Sequence, residues 1–255
     1  MEKLIIFVFG AIIGSFLNVC IYRLPLGKSI VHPHSFCPHC ERPIKWFDNV
    51  PLISFLILFG KCRYCKNSIS ARYFVVELVT ALSGVILLFY FPISAPFFVY
   101  WVLVCALITI TFIDIEHQEI PDVISLPGIL VGLILMTVFK LDGSPVYMKS
   151  FLNSAVGVLA GGGLMFLLGA FGELIFKKEA LGGGDVKLMA MIGAFLGWKL
   201  VVLTFFLAPV MGSVVGIFLK IRFSREIIPY GPYLSIGAVI SLLYGDKILH
   251  YLFLI

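Results

Sequence analysis

Long apolar segments dominate this chain and constrain its fold more than any other feature. A helix needs about 20 mostly apolar residues to cross the hydrocarbon core of a bilayer. Only 13% of the residues are charged, against roughly 25% in soluble domains. We therefore predict an all-α polytopic membrane protein with about eight transmembrane helices. The candidate spans are residues 4–22, 73–91, 97–114, 122–139, 151–176, 186–197, 199–220 and 232–254.

Three of these spans have features that bear on packing. The sixth, residues 186–197, is short, which favours a tilted or re-entrant segment inside the bundle. The fifth contains Gly157 and Gly161–Gly163, and small residues of this kind let membrane helices approach closely. Asn18 in the first span is predicted to hydrogen-bond across helices.

The placement of Lys and Arg orients the predicted bundle. Cytoplasmic loops of membrane proteins carry an excess of these residues. With eight spans, the loops on one side hold 14 of the 19 basic residues, in segments 23–72, 177–187 and 220–231. We therefore predict that this side faces the cytoplasm and that both termini face outward. The net charge of +5 then reflects topology and does not indicate nucleic-acid binding, because no soluble basic domain carries it.

The one sizeable polar segment, residues 23–72, contains two C-x-x-C pairs separated by 21 residues. The pairs are Cys37 with Cys40 and Cys62 with Cys65. Four thiolates at this spacing fit a tetrahedral structural zinc site, which would stabilise a loop too small for a large core. Two disulfides are the alternative, disfavoured because cytoplasmic thiols stay reduced. The nearby His32, His34 and His39 are possible ligands that we interpret as bystanders.

Two aspartates lie beside membrane-length apolar segments, where a charge is costly. Asp114 ends the run WVLVCALITITFID, and Asp185 ends the glycine cluster LGGGD. An ionisable residue at membrane depth indicates a function by default. If the two carboxyl groups meet, they can share a proton and activate a water for hydrolysis. For Asp185 alone, capping of the following helix is an equally good interpretation.

Six segments resemble the type IV prepilin peptidase family of membrane leader peptidases and N-methyltransferases. They occur in the family's order and extend over nearly the whole chain. They are GSFLNVCIYRLP (14–25), the paired C-x-x-C motifs, ARYFVVEL (71–78), IDIEHQEIPD (113–122), LGGGDVKLMAMIGAFLG (181–197) and IPYGPYLSIGA (228–238).

The resemblance implies a specific activity. Asp114 and Asp185 match the family's catalytic aspartates. The implied substrates are prepilins or pseudopilins, cleaved after a glycine on the cytoplasmic face of the bacterial inner membrane. The implied second step methylates the new N-terminal amine with S-adenosylmethionine. The cysteine-bearing region is associated with the methylating members of the family.

Several further expectations accompany this assignment. Gly182, Gly184, Lys187 and Asp122 are predicted to support the site. Lys187 would help hold the site or orient Asp185 electrostatically, and the glycines would let a substrate strand approach closely. Glu77 is interpreted as a salt-bridge partner of a helix or of the zinc loop, in preference to a ligand for the methyl donor. No residues are assigned to the methyl-donor site.

The predicted organisation has three parts, namely a first transmembrane helix (1–22), a cytoplasmic zinc-binding domain (23–72) and a transmembrane peptidase domain (73–255). Three other interpretations remain open. The chain could be a peptidase without methylation, a proton-coupled transporter that uses the same aspartates, or a noncatalytic scaffold. Inverted repeats would support a transporter, and none is evident in the sequence.

Overall fold

The helices of the computed structural model follow the apolar segments of the sequence. The structure describes residues 1–32, 34–177, 181–223 and 229–253. Lys178, Arg225 and Ile228, which enter the charge count and the closing motif, lie outside the described residues. The helices are α1 (Glu2–Arg23), α2 (Ile53–Ile57), α3 (Ala71–Leu87), α4 (Ala95–His117), α5 (Asp122–Phe139), α6 (Tyr147–Phe176), α7 (Gly183–Phe223) and α8 (Gly231–Phe253).

The all-helical architecture is confirmed, but the predicted number of about eight spans is not. Within the described residues, five helices are long and apolar enough to cross a membrane, namely α1, α4, α5, α6 and α7. α3 has only 17 residues, and α8 contains the charged residues Asp246 and Lys247. α3 and α8 are not among these five helices, and α7 contains two of the predicted spans.

The predicted sixth and seventh spans fall within the single element α7. Their separation is marked by Gly197, whose φ of 74° and ψ of 176° are non-helical. Glycine adopts this backbone conformation readily because it has no Cβ. The element Gly183–Phe223 therefore consists of two helices joined at a kink, and this break lies at the predicted boundary between residues 186–197 and 199–220.

One compact unit comprises Met1–Thr109. Its α1 and α3 are in backbone contact, since a methyl group added at Gly14 would lie 2.7 Å from Glu77 Cα. Asn18 Nδ2 donates a hydrogen bond to the Tyr73 carbonyl oxygen at 3.0 Å. The predicted cross-helix hydrogen bond of Asn18 is thus present.

The second compact unit comprises Ile110–Ile255, so α4 contributes to both units. Within this unit, α6 and α7 approach most closely where Gly157 faces the Gly193 backbone. Gly161 also lies against the α7 backbone, whereas Gly163 faces open space. Close helix packing therefore explains only part of the glycine cluster. The predicted three-part division of the chain follows membrane topology and stays a prediction.

Candidate active site

Asp114 lies in the last turn of α4 and is held by the start of α8. Asp114 is buried, with only 6% of its surface exposed. The Gly231 backbone N–H donates to Asp114 Oδ2 at 2.8 Å. Gly231 is the first residue of α8, and the first N–H groups of a helix have no partner within it. The carboxylate therefore satisfies a helix N-terminus, a favourable place for negative charge.

Asp185 lies in the first turn of α7, two residues after the helix begins at Gly183. It is half-buried, and its backbone N–H donates to the Gly182 carbonyl oxygen at 3.1 Å. Its carboxyl group is within electrostatic range of Asp114. The two predicted aspartates, 71 positions apart in the chain, thus belong to the same compact unit.

The glycines before Asp185 have different surroundings. A methyl group at Gly184 would lie 2.9 Å from Ile120 Cβ, so this position admits only glycine without local movement. Gly183 faces open space, and a methyl group at Gly182 would lie 3.4 Å from Asp185 Oδ2. Gly184 thus lets the α4–α5 connection pack directly on the start of α7.

Lys187 pairs with Asp122 and not with the aspartate nearest to it in sequence. Its Nζ lies 2.6 Å and 2.8 Å from the two Asp122 carboxylate oxygens. The side chains are 38% and 54% exposed, respectively, so solvent weakens the ion pair. Asp122 also begins α5, where a negative charge favours the helix dipole. The ion pair therefore links α7, which carries Asp185, to the start of α5, the helix that follows the α4 of Asp114.

Gly231 and Tyr230 were not singled out as site residues by the sequence. Gly231 binds Asp114, and the Tyr230 hydroxyl is within electrostatic range of Asp185. Both lie in the segment IPYGPYLSIGA (228–238), whose resemblance to the family was the sequence signal that could have identified them. Nothing local in that motif indicates a contact with Asp114, which lies 117 positions away.

The four predicted cysteines converge in the first unit. Their sulfur atoms all lie within 4.8 Å of one another. All four thiols are free, and the 3.9 Å between the Cys37 and Cys65 sulfurs exceeds the roughly 2.05 Å of a disulfide. Tetrahedral coordination with Zn–S bonds of about 2.3 Å would place the sulfurs about 3.8 Å apart. The cluster therefore fits a four-coordinate metal ion, and among the described residues His32, His34 and His39 are not part of it.

Each C-x-x-C pair lies in the same kind of turn. The Cys37 and Cys62 N–H groups donate to Arg42 and Asn67 carbonyl oxygens, closing two equivalent loops. The backbone N–H groups of Cys65 and Tyr64 bond the Cys62 sulfur and lower the pKa of that thiol to about 6. A thiolate is the form that binds metal. At Cys65 the backbone N–H of Asn67 acts in the same direction, but burial and the neighbouring cysteines outweigh it and raise the pKa of this thiol to about 11. The turn therefore favours the thiolate form at Cys62.

The helical architecture, the aspartate pair and the four-cysteine cluster define a class of polytopic membrane protein with two separate chemical centres. Family profiles match both parts of the chain. The profile described as "Bacterial Peptidase A24 N-terminal domain" covers residues 8–91, and "Type IV leader peptidase family" covers residues 101–217. The chain belongs to the type IV leader peptidase family, which confirms the resemblance found in the sequence.

Curated relatives match along most of their length. A protein of Stutzerimonas stutzeri is 37% identical over 94% of this chain and 90% of its own length. A relative from Aeromonas hydrophila is 35% identical, covering 96% and 91%, respectively. A third, from Pseudomonas aeruginosa, is 36% identical, covering 94% and 89%. Each is named prepilin leader peptidase/N-methyltransferase. No solved structure is a significant match.

Proposed function

We propose that this chain is an enzyme that removes the basic leader of prepilin-like proteins and then N-methylates the product. The observation that supports cleavage is the proximity of Asp114 and Asp185 at the ends of two apolar helices. The names of the relatives support both activities. The substrates are prepilins or pseudopilins, cleaved after the glycine that precedes the mature N-terminus.

The aspartates divide the hydrolysis between them. Two carboxyl groups in proximity do not both ionise easily, so the pair holds one proton. The ionised member removes a proton from water, which attacks the scissile carbonyl carbon. The protonated member donates a hydrogen bond to the carbonyl oxygen and stabilises the charge that develops there. The Gly231 N–H bond keeps the Asp114 carboxyl group oriented for this chemistry.

The four cysteines hold a structural zinc ion that stabilises the polar loop. A closed set of four thiolates leaves no coordination position for a substrate, which is typical of structural sites. The ion would fix the two C-x-x-C turns against each other. In the methylation step, S-adenosylmethionine supplies the methyl group to the new N-terminal amine, and no residue of this chain is assigned to its binding.

The enzyme lies in the bacterial inner membrane with the aspartates near the cytoplasmic end of their helices. The excess of Lys and Arg in segments 23–72, 177–187 and 220–231 supports this orientation. A basic prepilin leader would reach the aspartates from this same side. The eight-span arrangement with both termini outside belongs to the same proposal.

The decisive experiment is cleavage of a purified prepilin in liposomes, measured by intact mass with and without S-adenosylmethionine. Asp114→Asn and Asp185→Asn should each abolish leader removal while the proteins stay folded. Asp246→Asn is the matched control, because this exposed residue lies at the far end of α8 from Gly231. It should cleave as the wild type does.

The outcomes separate the possible functions. Loss of the leader only with both aspartates intact, followed by a methyl mass increase, would support both activities. Cleavage without the methyl increase would indicate a peptidase that lacks methylation. Substantial cleavage by either Asn variant would refute the aspartate pair, and an inactive folded wild type would favour a transporter.

A further inference from the structure

The short helix α2 turns an apolar face outward. Ile53, Leu56 and Ile57 are all exposed, and their i, i+3 and i+4 spacing places them on one side of the helix. Two aromatic residues close to α2 in sequence are more exposed still, Trp46 at 81% and Phe59 at 87%. We call these five residues the apolar patch. A water-facing helix in a polar loop would carry polar residues on this side, so the patch indicates a binding surface.

The opposite face of α2 fixes this orientation. Ser54 Oγ donates to the Phe47 carbonyl oxygen and accepts from the Val50 N–H, both at 3.0 Å. The Phe55 ring packs on Phe74 of α3, with the ring centroids 5.4 Å apart. The apolar patch therefore cannot be hidden by simple rotation of α2, because rotation would break these contacts.

The depth of α2 beside α1 identifies the occupant of the patch. The Leu52 N–H, directly before α2, donates to Glu77 Oε2 at 2.7 Å. Glu77 Cα in turn abuts Gly14, which lies nine residues before the end of α1 at Arg23. At 1.5 Å per residue, this is about 14 Å along the helix axis. The helices α1 and α3 are antiparallel, and helical side chains lean toward the N-terminus of their own helix, so the Glu77 carboxyl group lies between this level and the Arg23 end of α1. Since α1 is a candidate membrane span, α2 begins within the bilayer, nearer to its Arg23 side.

The charge of the surrounding loop fits the same occupant. Residues 23–72 contain eight basic and only two acidic residues. One of the two, Asp48, is already paired with Arg63 at 2.6 Å. Exposed basic residues such as Lys45 and Lys61 flank the apolar patch in sequence. Anionic lipid head groups attract such clusters, and Trp is enriched at the membrane interface.

We propose that the apolar patch inserts into the bilayer at the level of anionic phospholipid head groups. α2 then acts as an interfacial anchor that holds the four-cysteine loop against the membrane surface. This role is independent of catalysis. An apolar segment of a protein substrate could also cover such a patch. The depth beside α1 and the excess of positive charge favour lipid.

The test uses the full-length protein in phosphatidylethanolamine and phosphatidylglycerol vesicles. The fluorescence of Trp46 is obtained as the difference between wild type and Trp46→Phe, a variant that leaves the other two tryptophans unchanged. Lipids brominated near the head group should remove most of this Trp46 signal, and aqueous iodide should leave it largely intact. Quenching by iodide without quenching by brominated lipid would overturn the proposal.

Two further comparisons test whether the position of Trp46 depends on the apolar patch and on lipid. Ile53→Asn with Ile57→Asn should increase quenching of Trp46 by iodide, because the patch then loses its apolar anchor. Val31→Asn is the matched control, since this exposed apolar residue lies in the same loop outside the patch, and it should leave the Trp46 signal as in wild type. Protection from iodide that appears only when a prepilin is added would assign the patch to protein docking and overturn the lipid proposal.

Discussion

At the scale of single residues, the contact between Gly231 and Asp114 makes the sharpest prediction. A methyl group at Gly231 would lie 2.7 Å from Asp114 Oδ2, closer than any normal contact. Gly231→Ala should therefore displace the carboxyl group and break its hydrogen bond. Loss of a hydrogen bond to a charged group costs about 1.5–3 kcal/mol, so we expect prepilin cleavage to fall roughly ten- to 150-fold.

Gly237 in the same helix provides the control for Gly231→Ala. A methyl group there would have no neighbour closer than 3.5 Å, so Gly237→Ala should keep cleavage near the wild-type rate. Both variants should be compared by initial rates on one prepilin, together with their melting temperatures. Equal activity in the two variants would show that the Gly231 contact does not orient Asp114.

The individual residues also show what the sequence could predict. Asp114, Asp185 and the cysteines were recognisable because each stands out locally, as a charge in an apolar segment or as a fixed C-x-x-C spacing. The partner of Lys187 was not predictable in this way. Residues two positions apart on a helix do not face each other, so Lys187 turns away from Asp185 and meets Asp122 across the fold. Contacts between distant segments depend on tertiary packing.

At the scale of elements, adjacent glycines at the start of α7 should respond differently to the same change. Gly184→Ala places a methyl group 2.9 Å from Ile120 Cβ, whereas Gly183→Ala meets no atom within 4 Å. We expect Gly184→Ala to push the α4–α5 connection away from α7 and to lower cleavage roughly five- to 150-fold, by analogy with overpacking costs of about 1–3 kcal/mol. Gly183→Ala should have little effect.

This pair separates packing from backbone flexibility. If the cluster served mainly to keep the chain flexible before Asp185, both alanine variants would lose activity to a similar extent. Initial cleavage rates and thermal unfolding of the two variants decide between these explanations. Comparable losses would contradict the packing account.

The connection between α5 and α6 predicts a dependence of stability on pH. Asp142 accepts hydrogen bonds from Ser150 Oγ at 2.6 Å and from Ser144 Oγ at 2.9 Å. Burial alone would raise the pKa of Asp142, but these bonds and the backbone N–H of Ser144 outweigh it and lower the pKa below its usual value of 3.8. The charged carboxylate thus stabilises the folded state at neutral pH.

The expected result follows from this direction. The stabilising contribution is complete above the unfolded pKa and is lost as pH falls through the lower folded pKa. Asp142→Asn should therefore reduce the melting temperature at pH 7, and the difference from wild type should shrink below about pH 4. Thermal unfolding across this pH range measures it, with the exposed Asp246→Asn as control. A difference that stays constant with pH would contradict the role of the charge.

The helices also show which parts of the fold could be predicted from the sequence and which could not. Hydropathy located the apolar stretches well, because burial in lipid requires long runs of apolar residues. It also placed a boundary between residues 197 and 199, where Gly197 breaks the helical geometry of α7. Hydropathy did not indicate which segment packs against this break. Here a methyl group at Gly197 would lie 2.7 Å from Asn153 Nδ2 of α6, a contact that no local pattern reveals.

At the scale of the whole molecule, the two chemical centres lie in different parts of the chain. The cysteine cluster belongs to the unit Met1–Thr109, and both aspartates belong to Ile110–Ile255. The two family profiles, over residues 8–91 and 101–217, separate the same centres. A change at the cysteines should therefore act first on the structure of its own unit.

Removing the metal ligands tests this organisation directly. Cys37→Ser with Cys40→Ser leaves two sulfurs where the tetrahedral site needs four, so the purified protein should lose its zinc. Because metal binding contributes directly to folding stability in small loops, residues 23–72 should exchange amide hydrogens faster. Amide groups around the Asp114–Gly231 contact should keep wild-type protection. The control is Cys20→Ala, which removes a buried thiol of α1 outside the cluster and should leave the zinc content unchanged. A wild-type protein without zinc would contradict the metal-stabilised loop. Equal loss of protection in both units would contradict its structural independence.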